Sequence, residues 1–152
     1  MEIRAEINTK LKEALKSKDQ VSLSTIRLIM AAMKDRDITA RSNGKAEGID
    51  DSEILSMLQS MIKQRNESIK TYESAGRKDL ADREAEEIKV IDSFMPKQLD
   101  EGQIKVAIDE MIRETGAQNI RDMGKVMAAL KEKYAGQFDM GHASGLVKEK
   151  LA

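Results

Sequence analysis

The sequence predicts an all-α protein. Apolar residues recur at spacings of three and four along most of the chain, and no stretch alternates apolar and polar residues as a half-buried strand would. Of the 152 residues, 35% are charged and 3% are aromatic, with one Pro and no Cys. This composition favours helices, because strands are rich in aromatic and β-branched residues. The pattern predicts an N-terminal four-helix domain over residues 1–95 and a small three-helix tail domain over residues 96–152.

The first two helices are predicted from their apolar stripes. The first helix spans about residues 3–15, and a polar break at residues 17–19 separates it from the second helix at about residues 21–39. The apolar surface of the second helix, which includes Leu28, is wide enough for a central helix packed on two sides. Residues 41–49 contain Ser-Asn-Gly and Glu-Gly and predict a mobile loop. The stripe of the first helix is Ile3, Ile7, Leu11, Ala14 and Leu15.

The next two helices carry recognisable ends. Asp50 and Glu53 have the spacing of a capping box that opens a third helix, and Gly76 is placed to end it. A fourth helix follows over about residues 77–95. Its acidic side chains are expected to form a solvated face rather than a metal site, because no His accompanies them. These acids are Asp82, Glu84, Glu86 and Glu87.

The only proline marks the predicted domain boundary. Pro96 cannot continue a helix, and Asp100 with Gln103 forms a second capping-box pattern, so residues 96–99 are predicted to be a linker. Gly116 is placed to stop the helix that follows. The three helices of the tail domain are predicted at about residues 101–115, 120–134 and 140–151.

The sequence lacks the residues that several kinds of catalytic and metal site require. Without Cys there is no thiolate ligand or cysteine nucleophile, and one His cannot build a multi-histidine zinc site. There is no Gly-x-Ser-x-Gly nucleophile motif and no glycine-rich phosphate-binding motif. His142 is best interpreted as a surface or capping residue. We therefore expect no enzymatic activity, no cofactor and no metal.

A weak basic excess lies in the last third of the chain. The whole chain has a net charge of -1, whereas residues 119–152 hold 6 basic and 4 acidic side chains. Either a solvated helix face or an RNA-binding face explains this excess. Only Tyr134 and Phe138 lie nearby, so base stacking is not expected, and RNA would be held through phosphates and shape. The basic residues are Arg121, Lys125, Lys131, Lys133, Lys148 and Lys150.

Gly124, beside Lys125, lies within a predicted helix. A glycine there costs about 1 kcal/mol relative to alanine, which indicates that something approaches the backbone closely. A neighbouring helix is the favoured explanation, and a ligand phosphate at the helix N-terminus is the alternative.

The N-terminal residues do not resemble a targeting segment. Residues 1–15 carry both acidic and basic side chains, which neither a secretory signal nor a transit peptide favours. The longest uncharged apolar run, residues 28–33, is far shorter than the roughly 20 residues of a membrane span. We expect a cytoplasmic protein with no membrane contact.

Six motifs, in order along nearly the whole chain, resemble those of the bacterial YqeY-like proteins. They are Leu23-Ser24-Thr25-Ile26-Arg27-Leu28, Lys63-Gln64-Arg65-x-Glu67-Ser68-Ile69, Ala75-Gly76-Arg77-x-Asp79-Leu80, Met95-Pro96-Lys97-Gln98-Leu99, Met123-Gly124-Lys125-Val126-Met127 and Val147-Lys148-Glu149-Lys150-Leu151.

The resemblance implies a link to tRNA. The family resembles the C-terminal helical and tail domains of the B subunit of the tRNA-dependent amidotransferase, where these parts hold the tRNA while catalysis occurs elsewhere. A family label of carbon–nitrogen ligase activity with glutamine as amido-N-donor would derive from that full enzyme, and no residues here could perform it. Matching motif positions in the tail point to Lys97, Lys125 and Lys148 as RNA contacts. Arg27 and Arg65 also match motif positions, but an Arg that interrupts an apolar stripe is expected instead to anchor a buried acid.

The leading hypothesis is thus a non-catalytic tRNA-binding or tRNA-associated accessory module. The alternative is a helical adaptor that docks on an aminoacyl-tRNA synthetase or another protein through methionine-rich grooves. An amidotransferase-like activity remains a third hypothesis by family label only. The predicted RNA contacts are Lys97, Lys125, Lys131, Lys133, Lys148 and Lys150.

Overall fold

A computed structural model of the chain describes residues 2–152, so residue 1 of the predicted first domain lies outside the described residues. The described residues form seven α-helices, with no strand among them, which confirms the all-α prediction. A single turn of 3-10 helix, Ile120–Asp122, precedes the sixth helix. The helices are α1 Ile3–Ser17, α2 Gln20–Ser42, α3 Asp51–Ser74, α4 Lys78–Asp92, α5 Glu101–Thr115, α6 Met123–Lys133 and α7 Met140–Leu151.

The chain divides into two compact units, Met1–Met95 and Pro96–Ala152. Helices α1–α4 belong to the first unit and helices α5–α7 to the second. Each unit has its own apolar core. Both cores consist mainly of aliphatic and methionine side chains, with Phe94 in the first and Phe138 in the second.

Local signals position the helix ends as predicted. The Asp50 carboxylate accepts a hydrogen bond from the backbone N–H of Glu53 at 2.8 Å, and Asp100 does the same for Gln103 at 2.8 Å. The return bonds of both capping boxes are also present. Gly116 ends α5 with a left-handed φ of 68°. Because each signal involves residues three or four apart, the sequence alone is sufficient to predict it.

Helix α2 is the central helix of the first unit, since it packs against α1, α3 and α4. Ile26 and Ile29 on its inner face are almost completely buried. Two apolar residues that were expected to join the core lie outside it: Leu15 is 50% exposed and Leu28 is 48% exposed. Leu28 lies on the side of α2 that α1, α3 and α4 leave uncovered.

The end of the loop after α2 is held by a buried carboxylate. The Asp37 carboxylate, which is buried, receives two hydrogen bonds from the Arg4 guanidinium at 2.8 and 2.5 Å and one from the Ile49 N–H at 2.9 Å. Arg4 also donates to the Ile49 carbonyl oxygen at 2.9 Å. Gly48 has a φ of +83°, and a Cβ there would collide with the Asp37 carboxyl group. The end of the loop is thus fastened to both α1 and α2.

The acidic face of α4 is only partly solvated. Glu84 and Glu87 lie against Arg65 of α3, with its Nε 3.0 Å from a Glu87 oxygen and 3.9 Å from a Glu84 oxygen. Arg65 also donates to the Met61 carbonyl oxygen at 3.2 Å. The prediction of a solvated face is therefore wrong for these two acids, and Arg65 anchors them, as expected for an Arg that interrupts an apolar stripe. Arg27, by contrast, is exposed on α2.

Residues 96–99, the predicted linker, form hydrogen bonds within the second unit. The Gln98 side-chain amide donates to the Gly136 carbonyl oxygen at 2.7 Å, and the Leu99 N–H donates to the Gln137 carbonyl oxygen at 2.9 Å. These bonds fasten the segment before α5 to the turn between α6 and α7. The position of Lys97 is therefore set by the second unit.

Candidate nucleic-acid interface

All six predicted lysine contacts are exposed and belong to the second unit. Lys97 precedes α5, while the other lysines lie on α6 and α7. Several of them occupy the last turns of these helices, where a positive charge also suits the negative end of the helix dipole. The lysines on α6 are Lys125, Lys131 and Lys133, and those on α7 are Lys148 and Lys150.

Two of the six lysines already have carboxylate partners on α5. The Lys150 ammonium lies 3.0 Å from an Asp109 oxygen, and the Lys133 ammonium lies 3.8 Å from oxygens of both Glu110 and Glu114. These acids neutralise part of the charge that the two lysines would offer to RNA. Since the pairs are about half exposed, their contribution to stability is small.

The other four lysines form no ion pair with any described residue. Asp122 lies near Lys125. The Gln118 N–H donates to the Asp122 carboxylate at 2.9 Å, and this backbone bond, together with the charge of Lys125, lowers the pKa of Asp122. A carboxylate at the start of α6 also disfavours a phosphate there, which argues against the alternative explanation of Gly124. The four lysines are Lys97, Lys125, Lys131 and Lys148.

Gly124 faces open space rather than a neighbouring helix. A Cβ built on it would meet nothing within 4 Å, so the favoured explanation, close helix packing, is wrong. Ala128 and Lys131 follow at spacings of four and three, which places all three residues on one side of α6, and all are exposed. Val126 and Leu130 are buried on the opposite side. We call Gly124, Ala128 and Lys131 the α6 glycine face.

Helix α7 repeats the same arrangement. Gly141, Gly145 and Lys148 follow one another at the same spacings of four and three, and all three are exposed. A Cβ on Gly145 would meet nothing within 4 Å. Ala143 and Val147 are fully buried on the other side of the helix. We call Gly141, Gly145 and Lys148 the α7 glycine face; its pattern could have been read from the sequence by comparing the two helices.

The aromatic residues of the second unit belong to its interior. Phe138 is buried, and its ring lies 6.1 Å from the Tyr134 ring. The Tyr134 hydroxyl donates to a Glu110 oxygen at 2.8 Å, and burial, followed by this contact, raises the pKa of Tyr134. No stacking surface for bases is therefore offered by these two rings, as the sequence led us to expect.

Nothing among the described residues forms a metal centre. No group of three or more His, Cys, Asp or Glu side chains in residues 2–152 is placed to hold an ion. His142 lies on the surface, with Nε2 2.7 Å from a Glu101 oxygen, and both side chains are about half exposed. None of the helices described for residues 2–152 combines the length and apolarity that a bilayer span requires.

The methionines lie in or against the two cores. Of the nine described methionines, four are buried and five are half-buried.

Comparison with known proteins identifies the family. The family model described as YqeY-like protein matches residues 4–151, nearly the whole chain, and the chain belongs to this family. Among curated proteins it is similar to altered inheritance of mitochondria protein 41, mitochondrial. The match in Pyrenophora tritici-repentis is 30% identical over 128 residues and covers 80% of this chain and 67% of that protein.

Other relatives with the same name match over a shorter length. The Candida glabrata protein is 32% identical over 85 residues, which cover 56% of this chain and 45% of that protein. The Kluyveromyces lactis protein is 29% identical over 90 residues, or 59% of this chain and 46% of that protein. In these comparisons the match spans about half the length of the curated relatives.

Proposed function

We propose that the chain is a non-catalytic RNA-binding module whose second unit contacts the phosphate backbone of tRNA. The observation that carries the proposal is the repeated arrangement on α6 and α7, where exposed small residues lie beside a lysine without an ion-pair partner in the described chain. The tRNA-bound domains that the family resembles make tRNA the RNA to test first.

The glycines support close approach of a partner. An exposed glycine inside a helix costs about 1 kcal/mol relative to alanine, and no contact within the described chain offsets this cost at Gly124 or Gly145. Without a Cβ at Gly145, a phosphate group could come close to the α7 backbone, and Lys148 would then lie on the same side to neutralise it. At the start of α6 the Asp122 carboxylate opposes such an approach, so on that helix Lys131, in the last turn, is the expected phosphate contact.

The charges of the second unit support a weak interaction. Carboxylates of α5 pair with Lys133, Lys150 and His142, which leaves the unpaired lysines mainly on α6 and α7. Since few phosphates would be neutralised and no aromatic platform is exposed, binding should depend on RNA shape and on salt rather than on base identity.

Salt-dependent filter binding with bulk tRNA tests the proposal. Lys131→Gln and Lys148→Gln should each weaken binding and reduce the slope of log affinity against log salt by about 1. Lys133→Gln is the matched control, because its ammonium is already shared by two carboxylates, and it should change the slope less. No retention of tRNA at low salt, or equal effects for all three variants, would contradict the proposal.

Gly145→Ala separates binding from folding. Because nothing lies near the new methyl group and the site is helical, the substitution should stabilise the second unit by about 1 kcal/mol. It should nevertheless weaken tRNA binding, since the methyl group would hold the phosphate away from the backbone. Gly102→Ala, at the start of α5, is the control and should leave binding unchanged.

The proposal extends to the domains, to catalysis and to the location of the protein. We propose that the two units act as separate four-helix and three-helix domains, with RNA binding in the smaller one. We propose that the chain itself has no catalytic role, so release of ammonia from glutamine by the purified chain would contradict it. We propose a cytoplasmic site of action. Since the curated relatives are named as mitochondrial proteins, cell fractionation is the test, and recovery of the protein in an organelle would contradict this location.

A further inference from the structure

Helix α2 exposes a regular stripe that the core of the first unit does not use. Its residues follow spacings of four and three in alternation, which places them along one side of the helix, and three of the six are apolar. Leu28 is 48% exposed and Ile38 is 51% exposed, while α1, α3 and α4 pack against other sides of α2. We call this stripe the α2 outer face, and it consists of Ser24, Leu28, Ala31, Asp35, Ile38 and Ser42.

A row of positive charges borders the α2 outer face on one side. Arg27, Lys34 and Arg41 lie seven residues apart, so they follow the stripe over about 21 Å of helix. All three are exposed, and none forms an ion pair with a described residue. Arg41 uses only its Nε, which donates to the Ala46 carbonyl oxygen at 3.3 Å. The opposite border carries the uncharged Ala32 and Thr39.

The charges disfavour a second copy of this chain as the occupant. An antiparallel pair of α2 helices would match Leu28 of one copy with Ile38 of the other. It would also place the basic rows side by side, with Arg27 near Arg41 and Lys34 near Lys34, because the same flanking positions face each other in antiparallel pairs. Like charges in these positions destabilise the pair.

An RNA strand is also a poor occupant. It would cover Leu28 and Ile38 with charged phosphates, and it would meet the carboxylate of Asp35 in the middle of the stripe. A helix that is apolar on one side and acidic beside it would bury the two apolar side chains and pair with the basic row. Charge complementarity of this kind sets both orientation and choice of partner.

We propose that the α2 outer face binds an acidic amphipathic helix of a partner protein. Leu28 and Ile38 supply the apolar contacts, and Arg27, Lys34 and Arg41 pair with carboxylates that follow the partner helix at heptad spacing. Asp35 sits opposite a polar or basic residue of the partner and keeps the complex weak. This inference does not rest on RNA binding by the second unit.

A designed peptide tests the inference on the full chain. The probe is a peptide of about three heptads with Leu at the apolar positions and Glu at the flanking positions, and the control peptide carries Lys in place of Glu. Titration of the ¹⁵N-labelled chain should shift the amide signals of residues 24–42 with the Glu peptide and not with the Lys peptide. The double variant Arg27→Glu/Lys34→Glu should weaken binding of the Glu peptide about tenfold.

Val106→Asp is the matched control, because Val106 is 62% exposed on α5 in the second unit, and it should leave peptide binding unchanged. Ile38→Asp should abolish binding while the helix content measured by circular dichroism stays the same. The inference is overturned if neither peptide binds at about 1 mM, if both bind alike, or if the shifts fall outside α2. It is equally overturned if tRNA but not the peptide shifts the α2 amides, or if the chain dimerises through α2.

Discussion

Replacement of Gly48 by alanine should destabilise the first unit far more than the same replacement at Gly44. Both glycines have left-handed backbone angles, with φ of +83° and +93°. They differ in their surroundings: a Cβ at Gly44 would meet nothing within 4 Å, whereas one at Gly48 would collide with an Asp37 oxygen and lie 2.8 Å from its Cγ. Backbone strain is therefore common to the pair, and the collision belongs to Gly48 alone.

The magnitude follows from what the collision displaces. Strain at a left-handed position costs about 1 kcal/mol for alanine at either site. At Gly48 the Asp37 carboxylate must also move, and its bonds to the Ile49 N–H at 2.9 Å and to the Arg4 guanidinium at 2.5 Å are then lost. Hydrogen bonds to charged groups contribute about 1.5 kcal/mol each at the low end, which suits the partial exposure of Arg4. We expect losses of about 1 kcal/mol for Gly44→Ala and about 4 kcal/mol for Gly48→Ala.

Urea denaturation followed by the amide signals of α2 measures the first unit by itself. Local probes are needed because two units in one chain need not unfold together. In an Asp37→Ala background, Gly48→Ala should lose most of its extra cost relative to Gly44→Ala, because the carboxylate is gone and only the 3.2 Å contact with the Cβ of residue 37 remains. Equal losses for the two glycine variants in the wild-type background would show that the Asp37 contact is not what Gly48 protects.

Three further predictions concern buried polar groups of the first unit. The Arg4 guanidinium lowers the pKa of Asp37. The ionised carboxylate should therefore contribute its full stabilisation above about pH 4, and this contribution should be lost as the pH falls through the lowered pKa. The difference in unfolding free energy between the wild type and Asp37→Asn, measured by urea denaturation, should shrink in acid. Arg65→Ala should cost about 3 kcal/mol in the same assay, because it leaves the largely buried Glu87 carboxylate without its closest partner. Thr25→Val should raise stability by about 1 kcal/mol, since the Thr25 hydroxyl is buried and has no hydrogen-bond partner among the described residues.

Matched variants sharpen these measurements. Arg77 pairs with Asp79 at 3.2 Å, but both side chains are more than half exposed, so Arg77→Ala should change stability by less than about 0.5 kcal/mol. Thr25→Ser keeps the buried hydroxyl and should give no gain. A loss for Arg65→Ala as small as that for Arg77→Ala, a pH-independent effect of Asp37→Asn, or a loss of stability for Thr25→Val would contradict the corresponding reasoning.

Residue spacing was sufficient to predict the helices, because each one depends on neighbours within a turn or two. The predicted tail helices differ from the observed ones by only a few residues, and α2 extends beyond its predicted end to Ser42. The fourth helix is shorter than predicted and ends at Asp92, although Phe94 remains buried after it. An apolar stripe shows where side chains go, and it does not show where backbone hydrogen bonding stops.

Residue spacing failed wherever a polar group depends on a distant partner. Nothing in the sequence around Asp37 singles it out, yet it is buried, with Arg4 and the Ile49 N–H as partners from other parts of the chain. Glu87 was predicted to be solvated, but Arg65 of α3 packs against it in the folded protein. Leu28 looked like a core residue because its apolar character is visible in the sequence, whereas the absence of a covering helix is not.

Some features of the candidate interface can likewise be predicted from the sequence, and others depend on the tertiary structure. The sequence by itself determined the helical fold class, the capped helix ends, the family motifs and the six lysines. The tertiary structure decided that Lys133 and Lys150 pair with carboxylates of α5, and that Gly124 and Gly145 face open space. The physical reason is that a helix period tells which residues share a side, whereas only the packing of helices distant in sequence decides which side is covered and which charge is neutralised.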